Sequence, residues 1–233
     1  MIIDYLLDFI FPPHCVICGS LTGYGLNIKI CHKCAENAEY VANDWNYTYT
    51  LNIKLGHRAY FDGGRAVFKY SFVKESIERF KYFGARNLGK QYAKIMNEYF
   101  ANSGFFEKSD CIVSVPINKH RLKTRGYDQA GYLAKELAEI SNIEFVPNGI
   151  LRHKNTKPQN TLRVNERFEN VKDAFVVGDY NFKGKKVIIV DDIFTTGATI
   201  NECAKVLKSS GAEKVYFLTF AAAGEGLGSD ENV

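Results

Sequence analysis

The residues best suited to chemistry are Asp191 and Asp192, adjacent carboxylates that follow Val187-Ile-Ile-Val190 and precede Ile193-Phe-Thr-Thr-Gly-Ala-Thr199. A β-branched run without polar interruption fits a strand buried on both faces, and the carboxyl end of such a strand is where ligands of open parallel sheets bind. The Thr-Thr-Gly-Ala-Thr stretch opens a helix whose apolar positions Ile200, Cys203, Val206 and Leu207 have helical spacing. Backbone N–H groups at a helix start have no partner within the helix and lie at the positive end of its dipole, so they can hold a phosphate. Gly197 lets the backbone approach closely, Thr195, Thr196 and Thr199 add hydroxyl donors, and Ala198 lies within the same turn. An acidic pair that binds a diol, followed by a phosphate cradle, describes a ribose phosphate site.

A second constellation is Cys15-Val-Ile-Cys18 and Cys31-His-Lys-Cys34, two Cys-x-x-Cys pairs separated by twelve residues. Tetrahedral zinc takes four thiolates at about 2.3 Å, and each turn supplies two. Four protein ligands leave no open position, so Cys15, Cys18, Cys31 and Cys34 read as a structural Zn²⁺ site, with His14 and His32 as neighbours. A redox pair needs one such motif in a βαβ context, not two in a short ribbon. The other two of the six cysteines, Cys111 and Cys203, lie in apolar or helical runs and read as small buried hydrophobes.

Two basic segments complete the inventory. Lys119, Arg121, Lys123 and Arg125 fall in a loop between the end of one strand and the start of a helix, which topology places on the same ligand edge as Asp191 and Asp192. Residues 152–172 form a long polar segment, a candidate mobile active-site loop, with Thr156, Gln159, Arg163 and Arg167 in reach of the pocket. Charge alone fits a solvated loop or a nucleic-acid footprint as well as a pyrophosphate site.

The elements that must position these groups follow from periodicity. Residues 35–65 read as a connection, residues 67–72 as a half-exposed strand, and Val73, Ile77 and Phe80 as one helical face ending near Gly84. A second helix carries Leu88, Tyr92, Ile95, Met96 and Tyr99. Then come a strand over 110–115 stopped by Pro116, a helix over 127–140, and an extended stretch over 144–151. A short strand over 174–177, the 187–194 strand, its helix to Ser210 with Gly211 beyond, and a strand over 214–220 finish the pattern. Strands alternating with helices imply a parallel, doubly wound sheet.

At 233 residues and a net charge of +4, the chain is long enough for a large core and too weakly charged for a wholly basic binding surface. No apolar run approaches the ~20 residues of a membrane span. The first residues carry Asp4 and Asp8 and lack a basic start, which argues against a signal peptide and for an amphipathic helix with Ile3, Leu6, Leu7 and Ile10 on one face.

Several motifs recur together in one known family: Phe11-Pro-Pro-x-Cys-x-x-Cys-Gly19, Phe80-Lys-Tyr-Phe-Gly84, Arg121-x-x-x-Arg-Gly-Tyr-Asp-Gln-Ala130, Arg152-x-x-x-Thr-x-x-Gln159 and Arg167-x-x-Asn-Val171. The 187–199 stretch resembles the phosphoribosyl pyrophosphate motif of type I phosphoribosyltransferases, and the chain as a whole resembles the ComF family of competence-associated phosphoribosyltransferase-like proteins. The resemblance implies an α/β fold, a type I phosphoribosyltransferase-like parallel sheet flanked by helices, with a small N-terminal four-cysteine zinc module. The chain is expected to divide into an N-terminal helix and zinc module at 1–55, a transferase-like domain at 56–221 and, from a small, Gly-rich and acidic composition, a disordered tail at 222–233. The resemblance implies phosphoribosyl pyrophosphate with Mg²⁺ as ligand, Asp191 and Asp192 on the ribose diol, and Arg121 and Arg125 on the leaving pyrophosphate. Lys119 and residues 195–199 complete that binding set. It further implies a cytoplasmic protein, peripheral at the inner face of the membrane, acting in natural competence with single-stranded DNA and a helicase-like competence protein as candidate partners. Two alternatives keep the same site: a sensor that binds the ligand without transfer, and an active salvage transferase for nucleobases.

Overall fold

The computed structural model describes residues 12–41, 56–82, 86–157 and 162–223. The expected N-terminal amphipathic helix, most of the 222–233 tail, Gly84 and Gln159 lie outside these residues.

Seven strands and seven helices are described. They are α1 His32–Glu36, β1 Gly63–Lys69, α2 Tyr70–Tyr82, α3 Arg86–Phe100, β2 Cys111–Ser114, α4 Lys119–Arg125 and α5 Gln129–Ser141. There follow β3 Glu144–Phe145, β4 Ile150–Arg152, α6 Val164–Val171, β5 Phe175–Val177, β6 Lys186–Phe194, α7 Ala198–Ser209 and β7 Lys214–Ala222. Five strands form one sheet in the order β1-β7-β6-β2-β3, every neighbouring pair parallel, while β4 and β5 make a separate antiparallel pair. This is the expected parallel sheet with helices on its faces.

Strand periodicity explains the two cores. Successive side chains of a strand point to opposite faces, so a strand buried on both sides sorts its residues by parity. Val187 and Ile189 join Val113, Val215 and Phe217 in a core closed by Ile200, Cys203 and Leu207 of α7 and by Phe175 of β5. Ile188 and Val190 join Ile112, Leu218 and Phe220 in the opposite core, closed by Ile77 and Phe80 of α2, Tyr92 and Met96 of α3, and Leu133 and Leu137 of α5. Cys15, Val16 and Ile17 of the first cysteine turn belong to this second core.

Several boundaries differ from the periodicity reading. The strand expected over 67–72 is β1 at 63–69, and the helix begins at Tyr70. A Gly-Gly start reads locally as a turn, but a Cβ on Gly64 would stand 2.3 Å from the Phe217 ring, so packing against β7 demands glycine within the strand. Residues 35–65 are not all connection, because α1 reaches Glu36 and Tyr40 bridges to Phe68. The extended stretch over 144–151 splits between the two sheets, and the 174–177 strand pairs with β4 rather than joining the parallel sheet. The long polar segment contains α6, at whose start the Arg163 N–H donates to the Glu166 carboxylate at 2.8 Å. The basic 119–125 loop is helix α4, capped by the Asn118 side chain and ended by Gly126 at φ 78°. Seven residues without an apolar stripe offer no period to detect.

Candidate functional site

The acidic pair lies on β6, which pairs with β7 as far as Phe194 and Ala222, so Asp191 and Asp192 are within the last turn of pleat rather than beyond it. Alternation then sends the two carboxylates to opposite faces of the sheet. Asp191 has the buried Cys203 and Arg152 as charged or titratable neighbours, whereas Asp192 faces Tyr70, Tyr92, Tyr127 and Asp128. The Asp192 N–H donates to Asp191 Oδ1 at 2.9 Å, locking the first carboxylate against the strand.

Burial, then the Asp192 carboxylate, then Asp128, push the Asp191 carboxyl well above the ordinary carboxylate range. Asp128 is also raised, by burial first and by Asp192 among the lesser causes. It caps α5 by accepting from the Gly131 N–H at 3.1 Å. Asp191 and Asp128, both raised and both neighbours of the Asp192 carboxylate, belong to an acidic set that favours a cation or hydroxyl hydrogens. Asp128 is not among the site residues expected from sequence, where the helix is expected to begin at residue 127 and so to contain it.

Beyond β6 the backbone turns at Gly197, in the left-handed region at φ 78°, into α7, whose N-terminus has no side-chain cap. Glycine adopts this conformation without the steric cost of a Cβ. Thr196 and Ala198 are buried, and the Ala198 N–H points to Thr196 Oγ1 at 3.4 Å, so the Thr196 hydroxyl turns into the loop while Thr195 and Thr199 remain half-buried. Asn201, buried in the first turn of α7, accepts from the Tyr60 N–H at 2.7 Å and donates to the Arg58 carbonyl at 2.9 Å. That side chain clips segment 58–60 onto the cradle helix, and no local pattern announces it.

Helix α4 follows β2 on the same sheet edge. Its residues alternate: Lys119 and Lys123 are exposed, Arg121 and Arg125 half-buried. Arg125 donates to Gln129 Oε1 at 3.2 Å, and Gln129 Nε2 donates to the Lys81 carbonyl at 3.2 Å. The Tyr127 hydroxyl donates to the Phe80 carbonyl. The Gly-Tyr-Asp-Gln turn therefore serves the last carbonyls of α2, joining two separate sequence motifs. Arg121 is a charged neighbour of Arg152, which was not among the site residues expected from sequence.

The four cysteines form a second site. Their sulfurs lie within 4.8 Å of one another, and Cys18 Sγ is 3.7 Å from Cys31 Sγ. A regular tetrahedron of sulfurs about 2.3 Å from zinc has edges of about 3.8 Å, so the donor set fits zinc. Hydrogen bonding to Ser20 pulls the Cys18 thiol down to about 6, while burial pushes Cys15 and Cys34 up. Thiols this close share protons unless a cation takes their place. The His14 Nδ1–H donates to the Gly19 carbonyl at 2.8 Å and His32 pairs with Glu36 at 3.1 Å; neither joins the cluster. Cys111 and Cys203 are fully buried, and burial pushes the Cys111 thiol up to about 12.

The phosphoribosyl transferase domain model matches residues 84–233. The chain belongs to the phosphoribosyl transferase domain family. Its sheet nevertheless includes β1, which precedes the matched span. The chain is similar to competence protein F of Haemophilus influenzae, 28% identical over 91% of this chain and 85% of that one. It is also similar to competence protein ComFC of Streptococcus pneumoniae, 28% identical over 65% of this chain and 64% of that one. A third relative is DNA utilization protein YhgH of Escherichia coli, 34% identical over 46% of each chain. The last two matches span less than two thirds of the relatives' own length. Among the described residues no helix is long and apolar enough to cross a membrane.

Proposed function

We propose that this phosphoribosyl transferase family member binds phosphoribosyl pyrophosphate with Mg²⁺ at the β6–α7 junction and acts in natural competence, in the handling of single-stranded DNA. The observation that carries this reading is the convergence, at one sheet edge, of the carboxyl groups of Asp191, Asp192 and Asp128 with the uncapped start of α7. The competence role rests on relatives named for competence and DNA utilization.

On this reading Asp191 and Asp192 take the ribose hydroxyls and the 195–199 turn takes the 5-phosphate. Arg121 and Arg125 face the pyrophosphate, while the exposed Lys119 lies on the outer side of the same helix. Mg²⁺, when bound with the ligand, would neutralise pyrophosphate oxygens beside these carboxylates. If transfer occurs, the carboxylates stabilise positive charge developing at the anomeric carbon as pyrophosphate leaves. Cys15, Cys18, Cys31 and Cys34 hold a structural Zn²⁺, and residues 1–55 form the module that carries it, seated on a transferase-like domain at 56–221. The protein is cytoplasmic and peripheral to the membrane, beside a helicase-like competence partner.

Calorimetry with phosphoribosyl pyrophosphate and Mg²⁺ tests the ligand. Asp191→Asn and Asp192→Asn should each weaken binding by about 1–3 kcal/mol. Wild-type heats indistinguishable from dilution at millimolar ligand would overturn the reading. Pyrophosphate release dependent on a nucleobase would mark a salvage transferase, release dependent on single-stranded DNA a competence enzyme, and binding without release a sensor.

A further inference from the structure

Residues 76–81 of α2 are held from two sides. On one side lies the first cysteine turn: the Val16 carbonyl accepts from the Ser76 hydroxyl, and Arg79 Nη2 donates to the Val16 and Ile17 carbonyls at 2.9 Å each. On the other side the last carbonyls of the helix receive the turn between α4 and α5. The Tyr127 hydroxyl donates to the Phe80 carbonyl, and Gln129 Nε2 donates to the Lys81 carbonyl at 3.2 Å. Gln129 in turn accepts from Arg125 at 3.2 Å. An aromatic path runs beside this polar one. Tyr92 shares a 2.6 Å hydrogen bond with Ser76 and meets the Phe80 ring edge-on at 5.0 Å, and Phe80 meets Tyr127 edge-on at 6.0 Å.

Ser76, Phe80, Tyr92 and Gln129 are all buried, and a close-packed interior transmits a displacement rather than absorbing it. Ser76 and Phe80 are four residues apart, so they stand one above the other on one face of the helix. A shift of the Val16 and Ile17 peptides therefore reaches the Phe80 and Lys81 carbonyls through a single helical turn. Those peptides lie between Cys15 and Cys18, whose sulfurs share a cluster within 4.8 Å with Cys31 and Cys34. What the thiols hold thus sets where the peptides stand. The ribbon has another anchorage that leads away from α2: Lys94 Nζ of α3 donates to Asn27 Oδ1 at 2.8 Å.

We propose that α2 couples the four-thiol site to the ligand site, with Ser76 and Tyr127 as the positioning residues at its two contacts. Zinc occupancy then raises the affinity for phosphoribosyl pyrophosphate, and the ligand tightens the hold on zinc by the same factor, because coupling between two binding sites is reciprocal. The cysteines become a metal-sensitive control of ligand binding although none of them touches the ligand. This inference rests on the reading of the β6–α7 junction as a phosphoribosyl pyrophosphate site and on zinc at the four thiols.

The test equilibrates full-length, zinc-loaded protein with a chromogenic chelator that removes part of the metal, with and without phosphoribosyl pyrophosphate in excess Mg²⁺. The ligand should raise the apparent zinc affinity roughly fivefold or more. Chelation of zinc by the ligand itself would act in the opposite sense. Tyr127→Phe should bring the ligand's effect to within about twofold of none, and Ser76→Ala should reduce it by a smaller factor. Lys94→Ala, which cuts the ribbon from α3 instead, should leave the effect in place. If Tyr127→Phe fails to fold, Ser76→Ala carries the test. An unchanged effect in both α2-contact variants, or an equal loss in Lys94→Ala, would overturn the inference. So would wild-type protein that binds phosphoribosyl pyrophosphate by calorimetry yet releases zinc equally with and without it. Wild type without ligand heats would remove the β6–α7 reading, and protein that purifies without zinc the metal reading; each is seen before chelator is added, and the inference falls with either.

Discussion

Asp191 and Asp192 are neighbours in sequence but face different halves of the protein, one toward Cys203 and Arg152, the other toward Tyr127 and Asp128. The asymmetry makes Asp191 a stability liability. Its folded-state pKa stands above the unfolded value near 3.8, so the folded chain keeps a proton that the unfolded chain releases. Stability attributable to this group is therefore full below about pH 4 and is lost as pH rises toward the folded pKa. Asp191→Asn removes the penalty and should raise the melting temperature of the ligand-free protein at neutral pH, by roughly 2–4 °C per kcal/mol recovered, with the gain vanishing near pH 4. Melting curves across pH check this, and a variant less stable than wild type at pH 7 would contradict it. The same substitution weakens ligand binding, so the residue trades stability for function.

At the scale of elements, α4 presents two kinds of cation on two faces. Half-buried Arg121 and Arg125 turn toward Arg152 and Gln129, while exposed Lys119 and Lys123 turn outward. A small anion and a nucleic-acid strand would then use different sides of one helix. Lys123→Gln should reduce oligothymidylate affinity and lower the slope of its log–log salt dependence by about 0.7, while leaving pyrophosphate binding within about twofold. Arg121→Gln should do the reverse. Fluorescence anisotropy at several salt concentrations reads the first and calorimetry the second. A parallel loss of both ligands in both variants would mean one undivided surface.

At the scale of the whole molecule, the cysteine turns are part of the core. The Val16 carbonyl accepts from Ser76 Oγ and, at 2.9 Å, from Arg79, which also reaches the Ile17 carbonyl at 2.9 Å. Ser76 in turn shares a 2.6 Å hydrogen bond with Tyr92, whose ring stacks on Phe220 of β7 at 3.7 Å. The Lys29 N–H donates to Gln91 Oε1 at 2.9 Å, adding a contact to α3. A metal held by the four thiols would therefore support α2 and α3 as well as its own ribbon. Zinc should copurify at about one equivalent by elemental analysis, and Cys34→Ser should lose it and lower the main thermal transition. An unchanged main transition, with only a small early melt, would show that the knuckles unfold alone.

What the sequence determined by itself was local in origin. The β-branched run of β6, the glycine-broken start of α7, the apolar faces of α2, α3 and α5, and the paired cysteines each express a period or spacing within a few residues, and each stands where that pattern put it. Tertiary structure decided the rest. Asn118 meets Thr156 across 38 residues, Tyr127 meets the Phe80 carbonyl across 47, and Asn201 clips Tyr60 across 141. Such polar side chains satisfy whichever buried backbone group the packing brings to them, so no local pattern names their partners. Arg152 shows the same limit at the site. Its charge was readable, but its burial and unmatched Nε arise only when β4 pairs with β5 and Asn118, at the start of α4, binds the Thr156 carbonyl.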